Sequence, residues 1–380
     1  MFKFKFNISI YLTIFFLSII GCEGGSCDSL RNTSLSPSGT TVSPDAPQGD
    51  GKPLTVDCKS SYESLCNTNS SPNNTTATPD IPQGAGQPLI VLLHGLGSDA
   101  SCFDILKGNL EKAYPTAKII ALKSVEGDKT FLHSIKEQAD LSFEELKTLL
   151  TCPEHGVNSP ILLIGHSQGG NRACAIAAKN KGLNIKGIVT LATPWEGGPN
   201  AMRDPESKSM LENLSQIFSF FSPDDNTNLF KILTDLKNQP GSKDLIPGSQ
   251  FLTEISQNLN TLNVPIRAIG GTSSTNIKIL DLGIDPDQLL GDLISGRNAP
   301  DKRHDTLVSL ASQLASNISK GIQNFERVII QNAAHNAFLL RLCPPETQVI
   351  LEHPQTFEAV TKFINEVLPE ATQKHVDNKR

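Results

Sequence analysis

The sequence predicts an α/β protein with a mostly parallel central sheet and helices on both faces. Continuous apolar runs, typical of strands buried on both faces, recur along the chain from residue 88. Stretches with helical spacing separate these runs, and this alternation indicates a parallel sheet. The predicted strands are 89–93, 117–122, 161–164, 185–191, 264–269 and 328–330, and the predicted helices are 101–113, 141–150 and 171–181.

Length and composition set the limits of the interpretation. The 380 residues can form one large α/β domain with extensions. A hydrophobic fraction of 38% and a charged fraction of 19% suit a globular protein with polar additions. The formal charge of −6, without a dense cluster of Lys and Arg, argues against nucleic acid as a partner.

The most informative stretch is the run 161–170, ILLIGHSQGG. Its apolar part predicts a buried strand, Gly-x-Ser-x-Gly follows, and an Ala-rich helical pattern comes next, which is the context of a nucleophile elbow. Gly165 and Gly169 let strand and helix approach closely, and the serine stands on the sharp turn. We therefore expect Ser167 to be a nucleophile and the Gln168 backbone N–H to point at a developing oxyanion.

The N-terminal residues 1–22 have the pattern of an export signal. Lys3 and Lys5 precede the apolar run 8–20, and the segment ends Ile-Ile-Gly-Cys. That ending resembles the lipobox of bacterial lipoproteins, which implies lipidation of Cys22 and a membrane-anchored protein of the bacterial envelope. An ordinary signal peptide, and hence a secreted protein, is the alternative.

Residues 23–87 are rich in Ser, Thr, Asn, Pro and Gly, which predicts a disordered tether. The segment contains a tandem duplication, in which SPDAPQG at 43–49 recurs as TPDIPQG at 78–84. The chain has eight cysteines, so lipidation of Cys22 would leave an odd number. Their spacing suggests no zinc site, and their pairing cannot be read from the sequence.

Further motifs follow the predicted strands in order. His94-Gly95-Leu96-Gly97 comes after the first strand, LATPWEG lies at 191–197, and DLIPGSQFL lies at 244–252. With the elbow, these motifs resemble the lipase-like branch of the α/β-hydrolase superfamily, and the similarity extends to inositol-deacylase-like hydrolases. A fainter similarity links the chain to palmitoyl-protein thioesterases. Trp195 departs from the pattern, since the family usually has His there.

The order of the α/β-hydrolase triad places the acid and then the histidine after the serine. His335 follows the strand-like run 328–330, where the catalytic imidazole belongs. The other histidines fit less well, because they precede the elbow, lie within the motifs or fall in the last helix. We expect His335 to be the general base.

Asp305 is the predicted acid, because Asp305-Thr306-Leu307-Val308 resembles the Asp-Gly-Leu-Val of lipases and its two apolar residues can fix the loop to the core. The alternatives share the same polar region between strands: Asp281, Asp285, Asp287 and Asp301. A carboxylate at this place would hold the imidazole in one tautomer.

Residues 199–263 are too long for an ordinary connection, and we interpret them as a helical cap or lid. Apolar residues at helical spacing in 210–221 allow either an acyl-pocket lining or an ordinary helix packed on the body. The hydrolase domain is predicted to span 88–368, followed by a polar tail, 369–380.

The resulting expectation is a lipase- or esterase-like serine hydrolase. Ser167 attacks an ester carbonyl, His335 and Asp305 complete the triad, and the backbone N–H groups of Leu96 and Gln168 form the oxyanion hole. The expected partners are a lipid or acyl-ester substrate and a membrane, and no cofactor or metal is expected. A palmitoyl-type thioesterase and a non-catalytic surface lipoprotein are the alternatives.

Overall fold

The computed structural model describes residues 86–151, 156–179, 182–199, 238–274, 286–296, 298–340 and 343–372. The predicted signal segment with Cys22, nearly all of the predicted tether, most of the predicted cap, the candidates Asp281 and Asp285, and the last eight residues lie outside these ranges.

A six-stranded parallel sheet forms the centre of the described part. The strands are β1 (Leu89–Leu93), β2 (Lys118–Ala121), β3 (Ile161–His166), β4 (Ile185–Leu191), β5 (Ile266–Thr272) and β6 (Phe325–Gln331). Their spatial order is β2-β1-β3-β4-β5-β6, and every neighbouring pair is parallel. The predicted fold class is confirmed.

The strand order reverses next to β1, and this reversal positions the site. From β1 the chain moves to the edge strand β2 and then returns to β3 on the other side of β1. The loops after β1 and β3 therefore diverge to opposite faces, and they leave a crevice at the carboxyl ends of these strands. The motifs that contain Gly95 and Ser167 both begin at this crevice.

Helices cover the two faces of the sheet. Their bounds are α1 (Asp104–Ala113), α2 (Lys129–Leu132), α3 (Ile135–Leu150), α4 (Gln168–Lys179), α5 (Pro240–Lys243), α6 (Gln250–Leu259), α7 (Pro286–Ser295), α8 (Leu310–Gln313), α9 (Ala337–Leu340) and α10 (Pro354–Val367). A short parallel pair, β7 (Ala333–Ala334) and β8 (Gln348–Val349), follows β6.

The alternation of side chains along β1 shows how the layers are built. Leu89, Val91 and Leu93 pack into one core cluster with residues of α3, α4 and α6. Ile90 and Leu92 point the other way, into a second cluster with residues of α1 and α10. Every residue of β1 is buried, which explains why the sequence shows a continuous apolar run.

The described end of the predicted cap belongs to the body of the domain. Helix α6 lies within the predicted insertion 199–263, yet Phe251, Leu252, Ile255 and Leu259 are buried in the core cluster that contains α4. Its apolar stripe therefore faces the main core and does not belong to a cap. The rest of the predicted cap, apart from its described ends, lies outside the described residues.

The domain also continues beyond its predicted end at residue 368. A 3-10 helix spans Pro369–Thr372, Ala371 is buried, and the Thr116 hydroxyl donates to the Ala371 carbonyl at 2.8 Å. The predicted polar tail therefore begins after these residues. Within the described ranges, no helix has the length and apolar character needed to span a membrane.

Candidate active site

Ser167 stands on a strained turn between β3 and α4. Its φ is 53°, in the left-handed region that residues other than glycine rarely adopt. Two bonds hold the turn: the Ser167 N–H donates to Leu191 O at 2.9 Å, and the Gly170 N–H donates to Ser167 O at 3.0 Å. The conformation leaves the side chain at the carboxyl edge of the sheet, as a nucleophile elbow requires.

The two glycines of the elbow are required by space. A Cβ atom on Gly165 would overlap the Gly169 backbone. One on Gly169 would lie 2.6 Å from His94 O and closer still to Leu93 O. Strand β3, helix α4 and the end of β1 therefore meet backbone to backbone, and no side chain fits between them.

The loop after β1 lies directly against the nucleophile. A Cβ on Gly95 would be 2.8 Å from the Ser167 Cβ, so only glycine fits at this position. The Gly97 N–H donates to Thr130 Oγ1 at 2.7 Å, and the Ser98 N–H donates to Gly95 O at 3.4 Å. The Leu96 N–H makes no hydrogen bond within the described part of the chain.

Gln168 is the first residue of α4, so its backbone N–H has no acceptor in a preceding helical turn. Its side chain donates to Thr130 O at 3.3 Å and to Gly241 O at 3.1 Å, which fixes this residue between α2 and α5. The backbone N–H groups of Leu96 and Gln168, which directly follow Gly95 and Ser167 in the chain, are thus both without an acceptor among the described residues.

His335 forms the centre of a chain of hydrogen bonds. Its Nδ1–H donates to Asp305 Oδ2 at 2.7 Å, and the Ser167 hydroxyl donates to His335 Nε2 at 3.1 Å. A carboxylate only accepts, so the proton of the neutral imidazole lies on Nδ1 and Nε2 is left as the acceptor. All three side chains are buried or nearly so.

Asp305 is held by its own loop. Its Oδ1 accepts from the N–H groups of Leu307 at 3.0 Å and Val308 at 2.7 Å, and its backbone oxygen accepts from the His335 N–H at 2.8 Å. Thr306 has φ 82°, and its N–H donates to His304 Nδ1 at 3.1 Å. These bonds leave Oδ2 free to face the imidazole.

The described alternatives to Asp305 are placed differently. Asp301 pairs with Arg303 at 2.8 Å, and this side chain holds the pKa of Asp301 below its usual value. Asp287 lies in α7. The structure thus brings Asp305, and neither of these two, into hydrogen-bond contact with His335.

His166 ties the histidine loop to the elbow. Its Nε2–H donates to His335 O at 3.1 Å, and the two ring centroids are 5.0 Å apart. Burial, followed by the nearby His335 ring, lowers the pKa of His166 well below its usual value. A neutral His166 therefore serves as a donor that fixes the His335 backbone.

Burial also sets the protonation state of His94, which lies at the start of the glycine loop. Its pKa falls to about 4, first because the ring is buried and second because the Arg172 charge is close. The neutral ring donates from Nδ1 to Gly95 O at 3.1 Å. No group of His, Cys, Asp and Glu suited to a metal ion occurs among the described residues.

Comparison with known families agrees with this geometry. The palmitoyl protein thioesterase family matches residues 89–264, a little under half of the chain, which include β1, the elbow and β4. The match covers the glycine loop and Ser167 in the positions described above. The chain has the α/β-hydrolase fold.

Solved structures with this hydrolase fold resemble the chain at low identity. A lipase-esterase related protein from Clostridium acetobutylicum is 16% identical, with 74% of this chain and 95% of that chain covered and a TM-score of 0.41. A monoacylglycerol lipase from Paleococcus ferrophilus is 16% identical, with 76% and 97% covered and a TM-score of 0.40. A search of curated proteins finds no match.

Two motif residues of the hydrolase fold have structural roles here. Trp195, which stands where lipases usually have His, is buried and donates to Thr190 Oγ1 at 3.3 Å, with Phe325 edge-on at 5.6 Å. Asp244 accepts from the Ile135 N–H at 2.7 Å and so satisfies a donor in the first turn of α3.

Sequence reasoning missed a buried polar layer beneath the site, made of Thr130, Gln138 and Arg172. The signal for Arg172 was a single charge in the first two turns of α4. Thr130 and Gln138 gave no comparable signal, because the contacts that join them to the site, with Gly97 and Arg172, span more than 30 residues.

Proposed function

We propose that this protein is a serine hydrolase that cleaves carboxylic esters with a lipophilic acyl chain. The observation that carries the proposal is the continuous chain of hydrogen bonds from Ser167 through His335 to Asp305. A nucleophile, a base that faces it and an acid that orients the base are the parts that acyl transfer needs.

In the first half-reaction, Ser167 Oγ attacks the ester carbonyl while His335 Nε2 takes the hydroxyl proton. The imidazolium that forms is stabilised by Asp305, which keeps its hydrogen bond to Nδ1. The carbonyl oxygen becomes an oxyanion, and the N–H groups of Leu96 and Gln168 donate to it. His335 then protonates the leaving alkoxide, and the acyl group stays on Ser167.

In the second half-reaction, water replaces the alcohol. His335 takes a proton from the water as it attacks the acyl-enzyme, and the same oxyanion hole holds the second tetrahedral intermediate. Collapse of this intermediate releases the carboxylic acid and returns the proton to Ser167.

A lipophilic acyl chain is supported by the motifs at 94–97, 191–197 and 244–252, which resemble those of lipases. One of the exposed large apolar side chains, Leu132, lies at the end of α2, and Thr130 of the same helix accepts from the Gly97 N–H of the glycine loop.

A thioester is the second candidate substrate, and the match to palmitoyl protein thioesterases favours it. The same triad cleaves a thioester by the same steps, with a thiolate in place of the alkoxide as leaving group. The better leaving group makes general acid assistance by His335 less important.

A panel of esters and thioesters with acyl chains from two to sixteen carbons, assayed on the wild-type protein and on Ser167→Ala, tests both candidates. The ester proposal predicts the highest kcat/KM on long-chain esters and loss of turnover in Ser167→Ala. Higher kcat/KM on thioesters at every chain length would select the second candidate. Absence of turnover, together with no labelling of Ser167 by a fluorophosphonate, would contradict the enzyme proposal and favour a binding protein.

A further inference from the structure

A buried arginine lies directly behind the glycine loop. Arg172 is 1% exposed and stands on α4, in the second turn after Ser167. Its Nη2 donates to His94 O at 3.0 Å, and its Nη1 donates to Gln138 Oε1 at 3.4 Å. Both acceptors are neutral, and Arg172 forms no ion pair within the described ranges.

A charge in this place is costly, so packing alone does not account for it. Buried charges are normally paired, because transfer of an ion from water into the protein interior costs roughly several kcal/mol. One turn further along the same face of α4, Ile176 packs in the apolar core, so a hydrocarbon is tolerated on this face. The guanidinium must therefore supply what a hydrocarbon cannot, namely hydrogen bonds and charge.

The hydrogen bond to His94 acts on the loop that contains Leu96. Gly169 and Arg172 are three residues apart and share one face of α4. Gly169 brings this face against the end of β1, and Arg172 then reaches the carbonyl of the last residue before Gly95. That carbonyl belongs to His94, whose ring donates from Nδ1 to the Gly95 carbonyl at 3.1 Å. The Gly95 carbonyl and the Leu96 N–H belong to one planar peptide group, so Arg172 fixes the residue that orients this N–H.

We propose that Arg172 is a positioning residue for the oxyanion hole, which fixes the His94 carbonyl and adds a positive potential behind the Leu96 N–H. The inference rests on the proposed function, because it assigns Arg172 a part in stabilising the oxyanion formed by Ser167. It goes beyond the triad, in which Arg172 has no part.

The electrostatics of the neighbours agree with a charged Arg172. Burial lowers the pKa of Arg172 to about 10, and the charge of Glu145 opposes this shift, so the guanidinium is charged at neutral pH. Glu145 itself accepts from the backbone N–H groups of Lys123 and Ser124, at 2.8–3.1 Å. Glu145 is thus hydrogen-bonded to backbone groups and forms no ion pair with Arg172, so contact does not cancel the positive potential of Arg172.

A residue that orients the oxyanion hole acts on the transition state and leaves substrate binding nearly unchanged. The ground-state carbonyl interacts weakly with the donors, whereas the oxyanion interacts strongly. Loss of Arg172 should therefore lower kcat with little change in KM. Loss of one oxyanion donor costs about 100- to 1000-fold in kcat, and misplacement of a donor should cost less, about 10- to 100-fold.

The experiment compares Arg172→Met, which removes bond and charge, with Arg172→Lys, which keeps the charge. Arg267→Met is the matched control, because Arg267 is also 1% exposed but lies near the amino end of β5, away from the site, where it pairs with Glu326 and Glu366. For each variant, kcat, KM, the unfolding midpoint and the Ki of an alkyl boronic acid are measured; the boronate forms an anion on Ser167.

The expected result for Arg172→Met is a kcat lowered by about 10- to 100-fold, a KM within about twofold and a boronate Ki raised in proportion to the loss in kcat. Arg172→Lys should recover most of kcat. Arg267→Met should lower the unfolding midpoint and leave kcat and Ki unchanged. Wild-type kcat and Ki in a folded Arg172→Met would overturn the inference, as would equal losses in Arg267→Met.

Should Arg172→Met fail to fold, Arg172→Gln, which keeps a donor without charge, takes its place with the same expectation. If neither neutral variant folds, Arg172 serves the stability of the domain and the inference is overturned. Fluorophosphonate labelling of wild-type Ser167 separates the two proposals. Without labelling the proposed function fails, whereas labelling with unchanged kcat in the Arg172 variants refutes the inference alone.

Discussion

At the scale of single residues, the candidate site depends on side chains that each have one orientation available. Asp305 uses Oδ1 for two backbone N–H groups and Oδ2 for His335. His335 is fixed by its ring and also by its backbone, whose N–H donates to Asp305 O and whose carbonyl accepts from His166. This double fixation keeps the Nε2 lone pair directed at Ser167 without help from a substrate.

We expect Ser167→Ala and His335→Ala each to lower kcat by roughly a millionfold, and Asp305→Asn by roughly ten-thousandfold. The asparagine could keep the bonds of Oδ1, but its amide nitrogen would face Nδ1 with a donor and favour the wrong imidazole tautomer. Steady-state kinetics on the best ester, with the unfolding midpoint as a check on folding, measures the effect. Asp301→Asn is the control, since Asp301 is partly exposed and pairs only with Arg303.

The three residues should also act as one unit. The double variant Ser167→Ala with His335→Ala should lose no more activity than either single variant. If the activity losses of the two single variants instead multiplied in the double variant, a shared role would be contradicted.

Buried histidines make the stability of the domain sensitive to mild acid. His94, His166 and His304 all have a pKa lowered chiefly by burial, to about 4 for His94. The unfolded state regains the usual pKa near 6.5 and takes up protons first, so stability is complete above pH 6.5 and is lost as the pH falls toward 4. For His94 alone the loss is about 3 kcal/mol.

Urea unfolding at pH 7.0 and pH 4.5 measures this effect. The free energy of unfolding should be lower at pH 4.5 than at pH 7.0. This decrease should be smaller for His94→Asn than for the wild-type protein. Carboxylates with lowered pKa values, such as Asp99 and Asp301, lose their contribution to stability only below this pH range. They do not account for the decrease in the free energy of unfolding between pH 7.0 and pH 4.5. A free energy that does not depend on pH over this range would show that these rings are protonated in the folded state.

At the scale of elements, the elbow is a contact between backbones. Strand β3, helix α4 and the end of β1 meet at Gly165 and Gly169, and Gly95 meets Ser167 in the same place. A glycine in a helix normally lowers stability, so its presence at 169 reflects the close approach and not a helical preference.

Two glycine substitutions should therefore have opposite effects. Gly169→Ala places a methyl group against Leu93 O and His94 O and should lower the free energy of unfolding by about 3 kcal/mol, with loss of activity. Gly108→Ala, in α1 with no atom near the added methyl group, should raise it by about 0.5–1 kcal/mol without change in kcat. Chemical denaturation with activity assays distinguishes them. Equal effects would refute the steric explanation.

At the scale of the whole molecule, strand order brings the parts of the site together. The reversal beside β1 opens the crevice in which Gly95 and Ser167 meet, and the histidine and acid loops come from the far side of the sheet, around β5 and β6. Arg267 strengthens that side, since it joins β5 to Glu326 of β6 and to Glu366 and the Ala359 carbonyl of α10.

The predicted attachment of this domain to a membrane is a proposal that lies outside the described residues. If Cys22 is lipidated, the exported wild-type protein should sediment with membranes, and Cys22→Ala should move it to the soluble fraction. Fractionation followed by mass spectrometry of the N-terminal peptide measures both the anchor and its position. Unchanged sedimentation of Cys22→Ala would point to a different anchor.

The sheet and the elbow could be predicted from the amino-acid sequence alone. Strands buried on both faces are apolar, so Leu89–Leu93 and the first four residues of Ile161–His166 could be predicted from composition over a few residues. The elbow is equally local, because its glycines and Ser167 satisfy a steric requirement within five residues. Chain order after the serine then pointed to His335 and Asp305.

Which distant groups share a site depends on how the chain folds in three dimensions. An apolar stripe shows that a helix face is buried, but it does not show which element covers that face. The sequence therefore predicts a cap for a range that includes α6, whereas this helix packs in the main core. The contact with His335 distinguishes Asp305 from Asp287 and Asp301, which the sequence also offered as the acid. Arg172 meets His94 across 78 residues, and a hydrogen bond of that separation leaves no local pattern in the sequence, because the fold alone brings the two groups together.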